Sequence, residues 1–163
     1  MASGLYLVAV VCLTGGLWIG ADAAVSADGC KSCPAEWTQF GDHCYMYNFS
    51  PKDWADAEVS CVNHGGNLAS VHTKEQYDFI RSVIKTATGG EAQTWVGGYD
   101  AAKEGVWLWS DGSKFEKFTF KFWGPHEPSN YQGKENCLEI NFRGSANDIA
   151  CNAKLGYMCG MGL

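Results

Sequence analysis

Basic residues are scarce in this sequence, which has only 12 lysines and arginines against 18 acidic residues and a formal net charge of -6. Proteins that bind nucleic acid present basic patches to the phosphate backbone, so this balance argues against a nucleic-acid partner. Charged residues make up only 18% of the chain while 46% is hydrophobic, which argues against disorder and indicates one folded domain. The 20 glycines follow no three-residue period, which excludes collagen.

Motifs that mark enzymes are also missing. The chain has no Gly-x-Ser-x-Gly motif, and His64-Gly65-Gly66 falls at a predicted helix end, where it is typical of a helix cap. His126-Glu127 lacks the second histidine of a zinc protease. Cys30-Lys31-Ser32-Cys33 has the spacing of half a zinc site, but the sequence has neither a second such pair nor a His-x3-5-His partner. No nucleophile and base stand out, so we predict that the protein is not an enzyme.

The N-terminal residues 1–23 are predicted to be a secretory signal peptide. They contain an apolar run at residues 5–13 and end in the small-residue pattern Ala21-Asp22-Ala23. A membrane anchor is the alternative, but Gly15, Gly16 and Gly20 interrupt the segment before the ~20 apolar residues that a span requires. The sequence has no second apolar stretch of that length. We therefore expect a secreted, extracellular protein without membrane insertion.

Removal of this leader changes the meaning of the cysteine count. The chain has 8 cysteines, and cleavage would remove Cys12 and leave an odd number. Three intrachain bridges and one remaining thiol are the natural expectation in an oxidising compartment. A remaining thiol of this kind usually pairs between chains or reacts.

Two amphipathic helices are predicted in the first half of the chain, after a hairpin around Gly41-Asp42. Ser50-Pro51-Lys52-Asp53 supplies an N-cap, a first-turn proline and a capping acid for the first helix, which Gly65-Gly66 closes. Thr73-Lys74-Glu75-Gln76 is a capping box for the second helix, which ends at Gly89-Gly90.

The second half of the chain predicts short strands and one long irregular segment. Strand-like runs occupy residues 94–96, 106–109, 137–142 and 155–159. Residues 110–136 show no periodic pattern. A compact domain rarely carries so much loop unless something organises it, and disulfides and a metal ion are the usual organisers.

Five landmarks in this half of the chain, in a specific joint spacing, resemble the C-type lectin domain superfamily. They are Trp95-Val96-Gly97-Gly98, Trp123, Glu127-Pro128-Ser129, Glu135 and Asn147-Asp148-Ile149-Ala150-Cys151. The resemblance covers residues 33–159, and the short leader and cysteine-rich N-terminus look most similar to small secreted fish lectins. It implies an α+β fold with two helices, antiparallel sheets and a long ligand-binding loop. We therefore expect a signal peptide at 1–23, an N-terminal extension at 24–32 and a lectin domain at 33–160.

The resemblance also implies the disulfide pairing. Cys33 would pair with Cys44, and the two other bridges would be Cys61–Cys159 and Cys137–Cys151. Cys30 would then be the odd thiol. It predicts an interchain bridge to a second copy, and the alternative is a free or capped thiol in the extension.

A calcium and sugar site is expected in the long loop. Ca²⁺ takes six to eight oxygen ligands, and carboxylate, hydroxyl and amide oxygens from two loops are available. The expected metal ligands are Glu127, Ser129, Glu135, Asn147 and Asp148, and the expected sugar-binding residues are Glu127, Ser129, Tyr131, Glu135 and Asn147. Taken singly these are ordinary solvated loop residues, but their joint register with the tryptophan and cysteine landmarks favours a site. In the family Pro128 follows a cis peptide bond.

Four residues bear on calcium binding and sugar preference. Ser129 stands where mannose-binding relatives have Asn and galactose-binding relatives have Asp, which leaves the calcium dependence open. Ala146 stands where the family has tryptophan. Glu127 matches the mannose-type motif, whereas Tyr131 lies where galactose-binding relatives place a stacking aromatic, and the balance favours galactose.

The function that the resemblance implies is binding to glycans on cell surfaces. It predicts a haemagglutinating lectin with a defence role or a pro-inflammatory role in venom. An ice-binding protein on the same scaffold, like the type II antifreeze proteins, is the alternative, although those relatives carry ten cysteines. Asn48-Phe49-Ser50 is a glycosylation acceptor sequence or simply a turn, and Pro51 after it weakens the first interpretation.

Overall fold

A computed structural model describes residues 32–118 and 120–163. The predicted signal peptide, most of the predicted extension and Cys30 lie outside the described residues, as does residue 119. In chain order the elements are β1 Thr38–Phe40, β2 His43–Lys52, α1 Trp54–Asn63, β3 Asn67–Leu68, α2 Lys74–Thr88, β4 Thr94–Tyr99, β5 Leu108–Trp109, a 3₁₀ turn Tyr131–Gly133, β6 Cys137–Phe142, β7 Ser145–Ile149 and β8 Leu155–Gly162. Neither helix in the described part of the chain is long and apolar enough to span a membrane.

The strands of the described chain form one mixed sheet in the order β1-β2-β8-β4-β6-β7, with β3 on β8 and β5 on β4. The predicted α+β class with two helices is confirmed, and the sheet is mixed because one of its strand pairs is parallel. The last strand, β8, lies between β2 and β4 and is antiparallel to β2 but parallel to β4. The strand that closes the domain therefore joins the N-terminal hairpin to the half of the sheet that carries the long loop.

The second helix follows the predicted capping pattern. The Thr73 hydroxyl accepts a hydrogen bond from the Gln76 N–H at 3.1 Å, and Gly89 ends the helix with a left-handed φ of 76°. Both caps satisfy backbone groups that have no hydrogen-bond partner within the helix at its ends. The Gln76 side chain accepts from the His72 N–H at 2.8 Å. In the usual capping box this side chain accepts from the N–H of the N-cap residue, which here is Thr73, so the contact lies one residue earlier in the chain.

The first helix begins later than the sequence predicts. Its N-cap is Asp53, whose carboxylate accepts from the Asp56 N–H at 2.9 Å, rather than Ser50. Strand β2 continues through Ser50 and Pro51 to Lys52, with an irregularity in its pairing to β8 after Asn48. Pairing with β8 therefore takes residues that local capping signals alone assign to a helix. The Asn48 side chain accepts from the Ser50 N–H at 3.0 Å, which is a local turn contact.

Two buried clusters hold the helices to the sheet. One cluster, under α2, includes Tyr45, Ile80, Val96 and Leu138. The other lies under α1 and contains Ala57, Cys61, Leu68, Trp95, Cys137, Tyr157 and Cys159. The Trp95 indole N–H donates to the Lys52 carbonyl at 2.9 Å, so this large buried ring leaves no unpaired donor.

The three predicted disulfides are confirmed: Cys33–Cys44, Cys61–Cys159 and Cys137–Cys151. The second ties α1 to β8, across a sequence separation of 98 residues. The third joins the start of β6 to the segment after β7, so it closes the ladder on which the long loop rests.

A tight backbone approach explains one of the sequence landmarks. A Cβ atom added at Gly97 would meet the Leu68 carbonyl oxygen at 2.6 Å and the Ser110 hydroxyl at 2.7 Å. At Gly98 it would meet the Leu138 side chain at 2.9 Å. Only glycine lets β4 pass this close to its neighbours.

We expect Tyr77→Phe to stabilise the fold by about 1 kcal/mol at neutral pH, because the buried Tyr77 hydroxyl has no hydrogen-bond partner among the described residues. Burial also raises the pKa of Tyr77 to about 12 from its ordinary 10.0. The folded protein thus keeps a proton that the unfolded chain loses, so wild-type stability should fall as the pH rises above 10 and the advantage of the variant should widen. Urea unfolding at pH 7 and above pH 10 measures both effects, and a less stable variant at pH 7 would contradict the prediction.

Candidate functional site

The long irregular segment predicted from the sequence is present, and it rests on strand β7. Trp123 forms a β-bridge with Ala146. The Gly124 N–H donates to the Ala146 carbonyl and the Ala146 N–H donates to the Phe122 carbonyl, both at 2.9 Å. Just after this bridge, the Glu127–Pro128 peptide is cis, as the resemblance implied. We call residues 127–135 the carboxylate loop.

Asp148 anchors the carboxylate loop to the sheet. It is 1% exposed and projects from β7, and its two carboxylate oxygens accept from the Ser129 N–H at 2.8 Å and the Asn130 N–H at 2.6 Å. Hydrogen bonds to a carboxylate are stronger than those between neutral groups. The loop backbone is therefore fixed at the residues expected to meet a ligand.

Glu135 closes the same loop from the other end. One oxygen of its carboxylate accepts from the Ser129 hydroxyl at 3.1 Å and from the Tyr131 N–H at 2.7 Å. The Glu135 N–H donates in turn to the Asn130 side-chain oxygen at 3.2 Å. The predicted residues Ser129, Tyr131 and Glu135 are thus brought together by hydrogen bonds within one turn.

Glu127 has an unpaired carboxylate oxygen and a raised pKa. Its Oε2 atom is buried and has no hydrogen-bond partner among the described residues. Burial raises the pKa of Glu127, the neighbouring carboxyl groups of Asp148 and Glu135 raise it further, and the Ser129 hydroxyl partly offsets them. An unpaired, buried carboxylate oxygen beside two other carboxyl groups is costly unless a positive charge approaches it.

The carboxylate oxygens of the site suit a hard cation, but the described side chains do not form a complete set of metal ligands. Glu127, Glu135 and Asp148 offer carboxylate oxygens, which calcium prefers. Within residues 32–118 and 120–163, however, no group of three or more His, Cys, Asp or Glu side chains already forms an arrangement that could hold a metal ion. The loop's own hydrogen bonds engage Asp148 and Glu135, so a metal would have to share these acceptors or replace their donors.

Asn147 lies on β7 and faces a different partner. It is 7% exposed, and its amide nitrogen donates to Glu139 Oε1 at 3.0 Å. The sequence-based expectation placed Asn147 and Asp148 on a loop, and this was wrong. They belong to β7, which pairs with β6 on one side and with Trp123 on the other. A strand holds them more firmly than a loop would.

Glu139 is a site residue that the sequence-based prediction missed. It lies on β6 directly opposite Asn147 and is fully buried. Its Oε1 accepts from Asn147 and, at 3.2 Å, from the Gln93 side chain, while Oε2 has no partner among the described residues. Burial raises the pKa of Glu139, although these hydrogen bonds favour its ionised form. The signal was available, because Glu139 is the one charged residue in the strand Cys137–Phe142.

We expect Glu139→Leu to weaken ligand binding about tenfold, because the Asn147 amide then loses the acceptor that orients it. Glu139→Gln is the matched control, since its amide oxygen can still accept from Asn147. Titration of both variants with a galactoside, with circular dichroism to compare their folds, measures the effect. Equal affinity of the leucine variant and the wild type would show that Asn147 needs no orienting partner.

Tyr131 lies at the rim of the carboxylate loop with its ring in solvent. It begins the 3₁₀ turn Tyr131–Gly133 and is 67% exposed. Its backbone N–H is held by Glu135, so the ring is positioned without being covered. Ala146 is fully buried in the same cluster as Phe122, with Trp123 packed against that cluster.

A cluster outside the carboxylate loop, formed by Ser70, His72 and Asp111, has the composition of a hydrolase triad but not its geometry. The Ser70 hydroxyl donates to Asp111 at 2.5 Å and lies 3.1 Å from His72 Nε2. Asp111 also accepts from the Ser113 hydroxyl at 2.6 Å, so it binds two hydroxyls rather than orienting the imidazole. The serine proton is directed to the carboxylate, which is not the arrangement of a nucleophile and its base.

Comparison with known proteins agrees with this geometry. The family model described as "Lectin C-type domain" matches residues 50–161. The chain belongs to the C-type lectin domain family. Members of this family are carbohydrate-binding, are generally not enzymes and generally bind Ca²⁺.

The lectin domain is similar to several fish lectins. It is 40% identical over 146 residues to the galactose-specific lectin nattectin of Thalassophryne nattereri, covering 89% of this chain and 90% of nattectin. It is 38% identical over 132 residues to the lactose-binding lectin l-2 of Anguilla japonica, covering 78% of this chain and 77% of that lectin. The resemblance to small fish lectins is therefore confirmed.

Solved structures of the same fold include both sugar-binding and ice-binding proteins. The C-type lectin CEL-I from Cucumaria echinata matches with a TM-score of 0.73 and 28% identity, over 80% of this chain and 97% of CEL-I. Herring type II antifreeze protein matches with a TM-score of 0.71 and 28% identity, over 80% of this chain and 99% of that protein. The fold alone therefore does not separate the two functions.

Proposed function

We propose that this protein is a secreted lectin that binds terminal galactose on cell-surface glycans at the carboxylate loop, with Ca²⁺ bridging protein and sugar. The observation that supports this most strongly is Glu127, whose buried Oε2 atom is unpaired beside Asp148 and Glu135. Glu127, Ser129, Glu135, Asn147 and Asp148 would hold the ion. When bound, this hard cation would bind hydroxyl oxygens of the sugar.

The protein residues orient the sugar. The Asn147 amide, fixed by Glu139, and the carboxylates of Glu127 and Glu135 would exchange hydrogen bonds with the sugar hydroxyls. Charge-assisted hydrogen bonds of this kind are directional, so they select the positions of the hydroxyls. The Ser129 hydroxyl already donates to Glu135 and offers its remaining lone pairs as a weak ligand.

Galactose is favoured over mannose by the exposed Tyr131 ring. Galactose presents an apolar face of C–H groups that can pack on an aromatic ring, and such a contact adds about 1 kcal/mol. Tyr131 belongs to the carboxylate loop and is 67% exposed. The galactose-specific and lactose-binding relatives support the same preference.

Retention on immobilised galactose tests the proposed function. The protein should bind a galactose column in calcium and elute with free galactose, with elution by mannose requiring a higher concentration. Tyr131→Ala should weaken retention several-fold, while Tyr47→Ala, on β2 away from the loop, should not. Passage through the column unretained, with a native circular dichroism spectrum, would overturn the proposal.

Ice binding on the same fold is the second candidate, because herring type II antifreeze protein has the same fold with a TM-score of 0.71. Measuring thermal hysteresis decides between the two functions. The lectin proposal predicts no more depression of the freezing point than an equal concentration of serum albumin. A clear hysteresis gap without retention on sugar would favour ice binding instead.

Assembly through Cys30 belongs to the same proposal. We infer cleavage near Ala23 or Ala24 and an interchain disulfide at Cys30, which would leave a short extension before the lectin domain. Two linked sites can raise avidity by roughly 10² or more when both engage. Agglutination by such a dimer would serve defence, or a pro-inflammatory action in venom.

We expect the secreted protein to run as a dimer on a non-reducing gel and as a monomer after reduction. Cys30→Ser should run as a monomer in both conditions and lose agglutination while keeping galactose binding. An unchanged wild-type band after reduction would exclude the interchain bridge.

A further inference from the structure

A groove lined by aromatic side chains lies next to the carboxylate loop. Its walls are Trp107, Phe115, Phe118, Phe120, Phe122 and Trp123, and it is an open groove of about 630 Å³. That volume and this lining are typical of a site for a small organic ligand. We call it the aromatic groove.

The rings of the aromatic groove contact one another and also border the buried core cluster, of which Phe122 is a member. Phe118 stacks on Phe122 with centroids 3.8 Å apart, and Trp107 meets Trp123 at 4.9 Å. Phe122 alone is fully buried, and the other five are only half-buried. Half-exposed rings in one patch are uncommon on a soluble protein and indicate a surface that binds something apolar.

The aromatic groove adjoins the carboxylate loop on two sides. On one side Trp123 precedes Gly124, whose added Cβ would meet Glu127 Cγ at 3.3 Å. On the other side Gly105 lines the groove, and the preceding Glu104 accepts a hydrogen bond from the Asn130 side chain. A ligand bound at the carboxylate loop could therefore extend into the groove without leaving the protein surface.

Two unpaired lysines mark the rim. Lys117 and Lys121 line the aromatic groove, are exposed, and make no ion pair with any described residue. The one acid in the lining, Glu116, already pairs with Lys114 at 3.2 Å. Local positive charge in a chain of net charge -6 favours an anionic group beside the apolar chain.

We propose that the aromatic groove is a second subsite that takes the aliphatic chain of an anionic glycolipid whose sugar occupies the carboxylate loop. This inference rests on the proposed function, because it places the sugar there. The rings would cover the chain, and Lys117 and Lys121 would pair with a phosphate or sulfate near the junction of sugar and chain. Burial of a chain against aromatic surface is favourable in proportion to the area removed from water.

The test compares three soluble probes by calorimetry, each below its micelle concentration: methyl β-galactoside, octyl β-galactoside and the octyl phosphodiester of galactose. We expect octyl β-galactoside to bind about tenfold more tightly than the methyl compound, and the phosphodiester several-fold more tightly again. Phe115→Ser should remove the gain from the chain, and the matched control Phe49→Ser, a 62% exposed ring on β2, should keep it. Lys121→Gln should remove only the gain from the phosphate, and Lys85→Gln should not.

The outcomes separate this inference from the proposed function. Methyl and octyl galactosides of equal affinity would overturn the subsite and leave the lectin function intact. No binding of the methyl compound would count against the lectin function itself. A chain gain that Phe115→Ser leaves unchanged would place the chain elsewhere, and a phosphate gain that Lys121→Gln leaves unchanged would overturn the role of the lysines. Dissociation of an oligomer by Phe115→Ser, with no change in the chain gain, would show that a second copy covers the groove and would also overturn the proposal.

Discussion

Glu135→Ala is expected to reduce the affinity for galactose at least about 100-fold. The change removes a proposed calcium ligand together with the acceptor that holds the Ser129 hydroxyl and the Tyr131 N–H. Loss of a metal ligand, or of the groups that orient it, costs 10- to 100-fold or more. A galactose titration in calcium measures the loss, and Glu75→Ala, an exposed acid in the first turn of α2, is the control.

Glu135→Gln separates the two roles of this carboxylate. Its amide oxygen can still accept from Ser129 and Tyr131, so the loop should keep its shape, but the negative charge is gone. A metal-bridged site predicts that the glutamine variant loses nearly as much affinity as the alanine variant. If the glutamine variant bound like the wild type, sugar recognition would run through hydrogen bonds alone.

Removal of the Cys61–Cys159 disulfide should have the largest effect on stability. In the chain-entropy model, a closed loop of 98 residues contributes about 4–5 kcal/mol. Small domains are stable by only about 5–15 kcal/mol, so the double alanine variant should be close to unfolded at 37 °C. Both sulfurs are fully buried, and the cavity left behind would add to the loss.

The Cys33–Cys44 bridge provides the comparison. It spans only 11 residues and should contribute about 3 kcal/mol on the same model. Urea unfolding of the two double variants at one temperature gives both values. Equal losses would show that loop length does not decide what these bridges contribute.

Local signals in the sequence identified the elements that short-range chemistry determines. The turn at Gly41-Asp42, the Thr73 cap and the Gly89 stop lie where the sequence predicts them, because each is decided by a few neighbouring residues. The three disulfides followed from the resemblance to the family rather than from the cysteine count, which allows many pairings.

Pairing between strands that are distant in the sequence explains the elements that the sequence-based prediction missed. Ser50 and Pro51 have the pattern of a helix start, but β8 pairs with β2 on both sides of them, and the helix starts at Asp53. Strand β7 has little hydrophobic alternation in Ser145–Ile149, and it forms because β6 and Trp123 lie on either side of it. A local sequence pattern cannot identify a pairing strand that is distant in the sequence.

Some residues of the candidate site could likewise be predicted from the sequence, and others could not. The sequence identified Glu127, Ser129, Glu135 and Asp148, and hydrogen bonds or neighbouring charges link them in the fold. Glu139 was missed because its role depends on the register that sets it opposite Asn147. The aromatic groove was missed for a similar reason, since the rings meet only when Trp107 and Trp123 come together across the loop.

Galactose binding at the carboxylate loop is proposed to depend on calcium. The most direct test is a titration of the purified protein with methyl β-galactoside, first in calcium and then in EDTA, with calcium restored at the end. A calcium-bridged site predicts saturable binding in calcium, no measurable binding in EDTA and full recovery on restoration. The same affinity in EDTA as in calcium would contradict the bridging role of the ion, because the carboxylates would then bind the sugar without it.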